Sequence, residues 1–290
     1  MLGRGKGDDD LDAQAIRRTY RKLRYHRLVR PAVDVVSLAS LRMLSRVLTG
    51  SHVSELFLVG HMRSGSSLLS AILTANDEIN GYGEAKVIYR SQRDIATLKG
   101  KIALVQLLNR HAPTRRCRFV FDKTLHARHL PSTKVLTAPN ARVIFLLREP
   151  EATLRSIVAS LEWSLDGASR YLIRQYGFLG AIAEPLGSSG AGVVVHHRDL
   201  IAETEPVLDH LSRWLGLATP LKPVFDPGSQ AGIVGSGDRS ENIKAGKVLR
   251  NRKKHEVDIS GAPLDEIQRQ YHQAVETIET HIPSWRHAGS

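Results

Sequence analysis

Four short stretches of the chain read as strands rich in apolar residues without alternation: ELFLVG at 55–60, RFVFDK at 118–123, ARVIFLLREP at 141–150 and GVVVHHRDL at 192–200. A strand with one wet face alternates apolar and polar residues; these runs do not, so both of their faces must be covered. Between them lie segments with helical spacing. SSLLSAILTAN sets Leu68, Leu69, Ile72 and Leu73 on one side, and EATLRSIVASLEWSL follows Pro150, which suits a first helical turn. ASRYLIRQYGFLGAIAEPL, EPVLDHLSRWLGL and LDEIQRQYHQAVETIETH also read as helices, and GSSGAG as a loop. Covered strands alternating with helices predict an α/β fold with a mostly parallel central sheet flanked by helices. No internal repeat is visible.

The chain divides near TGSH, where helical signals stop, into a basic helical arm (1–50) and a domain (51–290). Lys and Arg number 41 against 29 Asp and Glu, a net charge of +12, which suits an anionic partner. Much of the excess sits in IRRTYRKLRYHRLVR, which has no acid. The following PAVDVVSLASLRMLSRVL is broken by Asp34, Arg42 and Arg46, so it is no membrane span. The arm therefore either packs on the domain or makes peripheral contact with an anionic membrane. The start, MLGRGKGDDDLD, is polar and shows no secretory signal, and the lone Cys117 allows no internal disulfide. Both features suit a cytoplasmic protein. A homo-oligomer is compatible with all of this.

The segment LFLVGHMRSGSSLL has the frame of a phosphate-binding loop: a strand, Gly60, four residues, Gly65, then a helix. In such a turn backbone N–H groups converge and the helix dipole favours an anion. Ser64, Ser66 and Ser67 add hydroxyls, and Arg63 adds a fork of donors. An ordinary Gly-containing turn is the bland alternative. Nucleoside triphosphatases place Lys after the second Gly and an acid at a strand end to hold Mg²⁺. Here Ser66 takes the first position and Arg148 ends the most apolar strand. The site suits an anionic nucleotide without a metal-bound triphosphate.

These residues resemble a known family. VGHMRSGSSLL resembles the 5′-phosphosulfate loop of sulfotransferases that use 3′-phosphoadenosine-5′-phosphosulfate (PAPS). RVIFLLREPEATLRSIVAS resembles their 3′-phosphate motif, with Arg148 at the strand end and Ser156 eight residues on. NDEINGYGEAKVIYR and FVFDKTL are similar to segments of tyrosylprotein sulfotransferases that carry the base and a strand-end lysine, which match Glu84 and Lys123. The resemblance spans roughly residues 55 to 250 and implies a P-loop-like sulfotransferase fold. It implies that Arg63, Ser64, Gly65, Ser66 and Ser67 hold the 5′-phosphosulfate, and that Arg148 and Ser156 hold the 3′-phosphate. It further implies that Glu84 takes the acceptor proton and that Lys123 meets charge on the departing phosphate. Lys244, Gly246 and Lys247, in GDRSENIKAGKV, would fold over the nucleotide. PAPS would be the donor, 3′,5′-bisphosphoadenosine (PAP) the product, and no metal would take part. The chain departs from the family in having Ser66 and Ser67 for a Thr pair and His197 where many relatives have Tyr.

Each residue also has a plainer reading: Glu84 as a solvated loop acid, Lys123 as a surface lysine, Arg63 in a structural salt bridge. A kinase-like phosphotransferase and a basic nucleic-acid-binding protein are the rival functions. The first lacks its lysine and acid. The second lacks any recognisable nucleic-acid motif, so no nucleic acid is expected. His126 and His129 share a spacing but lack a third ligand, so they are expected to line the acceptor pocket instead of a metal site. Cys117 leads into a strand and is not expected to be a nucleophile. The segment SQRDIATLKGKIALVQLLNRHAPTRR is basic and poor in aromatics. The expected acceptor is therefore a hydroxyl on a carbohydrate, a lipid-linked glycan or another small polar molecule, in preference to a protein tyrosine.

Overall fold

A computed structural model of the chain describes residues 53–81, 83–108, 117–225, 245–250 and 256–286. The arm at 1–50 and Lys244 lie outside the described residues. The elements run β1 (Ser54–Gly60), α1 (Ser66–Thr74), β2 (Ile79–Gly81), α2 (Gln92–Leu108) and β3 (Phe119–Thr124). A 3₁₀ turn (Ala127–His129), α3 (Thr133–Leu136), β4 (Ala141–Leu147), α4 (Pro150–Leu161) and α5 (Leu165–Gly187) follow. The chain continues through β5 (Gly192–His196), α6 (His197–Ala202), α7 (Thr204–Trp214) and α8 (Leu264–His281).

The strands form one sheet in the order β2-β3-β1-β4-β5, and every adjacent pair is parallel. The non-alternating runs do bury both faces. From β1 and β4, Phe57, Val59, Val143, Phe145 and Leu147 face a core completed by α2, α4, α5 and α8. Leu56, Leu58, Ile144 and Leu146 face the opposite core, completed by α1 and α7. Leu68, Leu69, Ile72 and Leu73 of α1 all lie in that second core, as their spacing predicts. Pro150 occupies the first turn of α4, where its missing N–H costs nothing.

One boundary needs correcting. The reading of GVVVHHRDL as strand throughout is wrong: β5 stops at His196 and a helix starts at His197. The last pair of its ladder is Leu147 with His196, and beyond it β4 gives way to Arg148, Glu149 and the helix at Pro150, so no partner strand remains. Asp199, in the first turn of α6, accepts from Trp285 Nε1 at 2.9 Å and so ties this turn to the C-terminal segment.

The topology also places a crevice. From β1 the chain leaves toward the α1 and α7 face; from the neighbouring β3 it leaves toward the other, where Val135 and Leu136 of α3 are buried. Where adjacent parallel strands send their connections to opposite faces, the strand ends open into the place where α/β proteins take ligands. The ends of β1 and β3 are the phosphate-type loop and Lys123 with Thr124.

Candidate active site

The loop between β1 and α1 is held from three sides. Gly60 lies so close to β4 that a Cβ there would sit 2.6 Å from the Leu146 carbonyl oxygen, and Gln175 of α5 donates to the Gly60 carbonyl at 2.7 Å. His61 is fully buried. Its Nε2 accepts the Arg148 backbone N–H at 3.1 Å and its Nδ1 lies 3.1 Å from the Met62 carbonyl. An acceptor Nε2 requires the proton on Nδ1, so the ring is neutral, and burial lowers its pKa to about 4. The Met62 N–H donates to the Tyr171 hydroxyl at 2.8 Å, which itself donates to the Leu125 carbonyl at 2.6 Å, joining this loop to the one after β3.

Two residues of the loop have left-handed backbone. Gly65, the N-cap of α1, has φ +93°, and a Cβ there would meet the His197 ring at 2.7 Å. Arg63 has φ +63°, a conformation that costs an L-residue and needs outside support. Support comes from Arg148, whose Nη1 donates to the Arg63 carbonyl at 2.8 Å. The first turn of α1 has no acid and no side-chain cap. The Ser64 hydroxyl is buried with no hydrogen-bond partner. An orphaned donor beside an uncapped helix N-terminus is what an oxyanion such as a phosphate would satisfy.

The expected 3′-phosphate residues are joined to this loop. Arg63 Nε donates to Ser156 Oγ at 3.0 Å. Ser156 is buried on α4, one helical face above the end of β4, and an acceptor role toward Arg63 leaves its own O–H to donate elsewhere. Arg148 and Ser156 open onto a cleft of about 650 Å³ that Arg155, His197, Leu249 and Arg250 also line. Spacing pointed to Arg148 and Ser156; it missed Arg155 and Arg250. Arg155 is bonded to Glu151 at 3.0 Å and to the Val257 carbonyl, and Arg250 to Glu205 at 3.2 Å. In the late segment Gly246 is buried, and its carbonyl accepts the Phe225 N–H at 2.9 Å. Lys247 bridges Val224 and is exposed, and Leu249 and Arg250 are the residues of this segment that line the cleft.

On the far side of the loop stand Lys123 and Glu84. Lys123 is buried at the end of β3, with Nζ 3.3 Å from Ser67 Oγ and 3.7 Å from Glu84 Oε1. The Glu84 side chain is 18% exposed and so can be reached from solvent. Burial raises its pKa above the ordinary 4.5, and the Lys123 ammonium pulls only partly the other way. Lys123 is thus not a surface lysine, and Glu84 is only partly open to solvent.

Asp122 is the residue that the sequence concealed. Its Oδ1 accepts the Ala85 N–H at 2.7 Å and its Oδ2 accepts the Tyr89 hydroxyl at 2.5 Å. The Lys123 N–H also donates to the Gly83 carbonyl at 3.0 Å. These bonds pin the Glu84 turn against the end of β3 and fix the separation of Glu84 and Lys123. Burial raises the Asp122 pKa to about 7, and the Glu84 charge adds to the rise.

Among the described residues no three His, Cys, Asp or Glu side chains gather as a metal site. No helix there is long and apolar enough to cross a membrane. Burial raises the Cys117 pKa, and this residue precedes β3 outside the cluster.

No protein-family model matches the chain, and no curated protein matches it by sequence. Solved structures do resemble it. The sulfotransferase domain from the curacin biosynthetic pathway is 16% identical with a TM-score of 0.48, over 77% of this chain and 98% of that one. The sulfotransferase domain from the Synechococcus PCC 7002 olefin synthase is 13% identical with a TM-score of 0.40, over 80% of this chain and 96% of that one. Mouse sulfotransferase SULT7A1 complexed with PAP is 13% identical with a TM-score of 0.40, over 83% of this chain and 89% of that one.

Proposed function

We propose that the chain is a sulfotransferase that moves the sulfuryl group of PAPS to an acceptor hydroxyl and releases PAP. One observation carries the reading: Arg63, Arg148 and Ser156 form a single linked unit, with Arg63 bonded to Ser156 and Arg148 to the Arg63 carbonyl. Such a unit suits a nucleotide with phosphate at both ends. Arg63 and the Ser64–Ser67 turn hold the 5′ end; Arg148 and Ser156 hold the 3′-phosphate.

The remaining residues supply the chemistry. Glu84 accepts the proton of the acceptor hydroxyl as its oxygen bonds to sulfur, and its raised pKa makes it a better base than an ordinary Glu. The bond from sulfur to the bridging oxygen breaks, and Lys123 meets the negative charge that grows there. Arg63 and the loop N–H groups stabilise the same charge, so fixed protein donors take the part that a metal plays in phosphoryl transfer. The proton leaves Glu84 to water when the product departs. The acceptor enters on the Glu84 side and is a small polar hydroxyl compound such as a carbohydrate or lipid-linked glycan. The protein works in the cytoplasm.

Thermal shift tests the donor. PAP without Mg²⁺ should raise the melting temperature, ATP with Mg²⁺ should do much less, and EDTA should leave transfer from labelled PAPS unchanged. The reverse ranking of the nucleotides would replace this reading with a kinase-like one.

A further inference from the structure

β3 alternates as it nears the site. Phe119 and Phe121 enter the core shared with α1 and α7, and Val120 enters the opposite one. At the strand end the same alternation sends Lys123 toward Ser67 of α1, 3.3 Å from Nζ, and Asp122 to the other face. There the buried Asp122 carboxylate accepts the Ala85 N–H at 2.7 Å and the Tyr89 hydroxyl at 2.5 Å. The Lys123 N–H donates to the Gly83 carbonyl at 3.0 Å. The peptide groups on either side of the Glu84 Cα are therefore both bonded to β3, one by Lys123 and the other by Asp122. Gly83 at φ +92° and Lys86 at φ +53° bracket this turn, and a left-handed Lys needs such outside support. Tyr89 is itself fixed: its ring stands edge-on to Phe57 of β1, with centroids 5.2 Å apart, and its carbonyl accepts the Ser132 N–H at 2.9 Å.

Stability does not account for Asp122. Two residues earlier, Val120 fills the same face with an apolar side chain. Burial raises the Asp122 pKa to about 7, so a charge at this position costs the folded state. What the carboxylate supplies is two directed bonds that settle where residue 84 stands. We propose that Asp122 is a positioning residue for sulfuryl transfer, holding the Glu84 carboxylate at its working distance from Lys123 through Ala85 and Tyr89. The proposal rests on the sulfotransferase reading and adds to it a residue that acts through Glu84 and not on the nucleotide. Proton removal and charge neutralisation must meet at one sulfur, and a base displaced by about 1 Å can lose on the order of 10²-fold in rate.

The test follows labelled sulfate released from PAPS in single turnovers, with water as the acceptor, beside titration with PAP. Asp122→Ala should slow release about 10–100-fold and leave PAP affinity within about twofold. Asp122→Asn can keep both bonds, its carbonyl accepting from Ala85 and its amide donating to the Tyr89 hydroxyl, and should restore most of the rate. Tyr89→Phe should fall between the two. In a Glu84→Gln background Asp122→Ala should add no further loss. Native release by folded Asp122→Ala, an Asn variant no better than Ala, or a full loss that persists without Glu84 overturns the proposal. Should Asp122→Ala not fold, an unchanged rate in Tyr89→Phe overturns it. Should water prove no acceptor, crystals decide: Glu84 should move away from Lys123 in Asp122→Ala, or in Tyr89→Phe, and stay in place in Asp122→Asn, and an unmoved Glu84 overturns the proposal. Failure of the native protein to bind PAP overturns the sulfotransferase reading instead, and the same crystals still show whether Asp122 sets the place of Glu84.

Discussion

The Lys123 ammonium stands 3.7 Å from the Glu84 carboxylate, with the Ser67 hydroxyl 3.3 Å away on its other side. One side chain thus spans the crevice from Glu84, the proposed base, to the turn after β1. Removing either partner should therefore damage the chemical step and spare the nucleotide. Glu84→Gln and Lys123→Ala should each lower kcat by about 10²–10³-fold, the range seen for lost proton transfer or lost charge stabilisation, with PAP affinity nearly unchanged. Single-turnover transfer and PAP titration measure the two separately. Because Glu84 must be ionised to act, activity should fall as pH drops through its raised pKa, above the ordinary 4.5.

The Arg148 and Ser156 pair should behave in the opposite way. On the proposed reading each contacts a phosphate remote from the reacting sulfur, so Arg148→Ala should weaken PAP binding about 10–100-fold and change kcat far less. Ser156→Ala should cost less. Calorimetric titration with PAP and with AMP, which differs from it by the 3′-phosphate alone, isolates that contact: the variants should discriminate between the two ligands much less than the native protein does.

Gly65 carries a steric prediction. Ala at φ +93° is strained by roughly 1–2 kcal/mol, and its Cβ would also press on the His197 ring, 2.7 Å away. Gly65→Ala should lose PAP binding. Gly65→Ala with His197→Ala should recover part of it, since the ring is gone but the backbone strain stays. Full recovery would mean that the clash alone matters.

His61 sets an acid limit on the loop. Unfolded, it takes a proton near its ordinary value of 6.5; folded, it resists until about 4. The contribution of His61 to stability is thus whole above pH 6.5 and is lost as pH falls from there to about 4. Urea unfolding across that range should show falling stability. His61→Gln should flatten the fall and cost about 1–3 kcal/mol at pH 8, where a buried hydrogen-bonding group is disturbed. Asp122 works against this trend: its raised pKa of about 7 penalises the folded state as pH rises toward 7, so Asp122→Asn should gain relative stability there.

The parts legible in the sequence were those that local pattern controls. The non-alternating runs gave β1, β3, β4 and β5, and the Gly60–Gly65 frame gave the loop. β2 escaped because three residues, Ile79–Gly81, make no periodic signal. α2 was not assigned because Lys99 and Lys101 interrupt the face marked by Ile95, Leu98 and Ile102. In the site, Asp122 and His61 were invisible for a different reason. Asp122 is a polar residue inside a strand whose partners, Ala85 and Tyr89, lie 37 and 33 residues away. His61 looked like a spacer, yet it binds a backbone group 87 residues on. No pattern in the chain marks such partners until the sheet brings them together.

The bonds from Arg148 to the Arg63 carbonyl and from Arg63 to Ser156 tie the turn after β1 to the start of α4. On the proposed reading this bridge makes the site a gauge of length as well as charge. A nucleotide with two phosphates at the spacing it sets should fill both seats, a 2′,5′-isomer should meet one and miss the other, and AMP, with a single phosphate, should fill one alone.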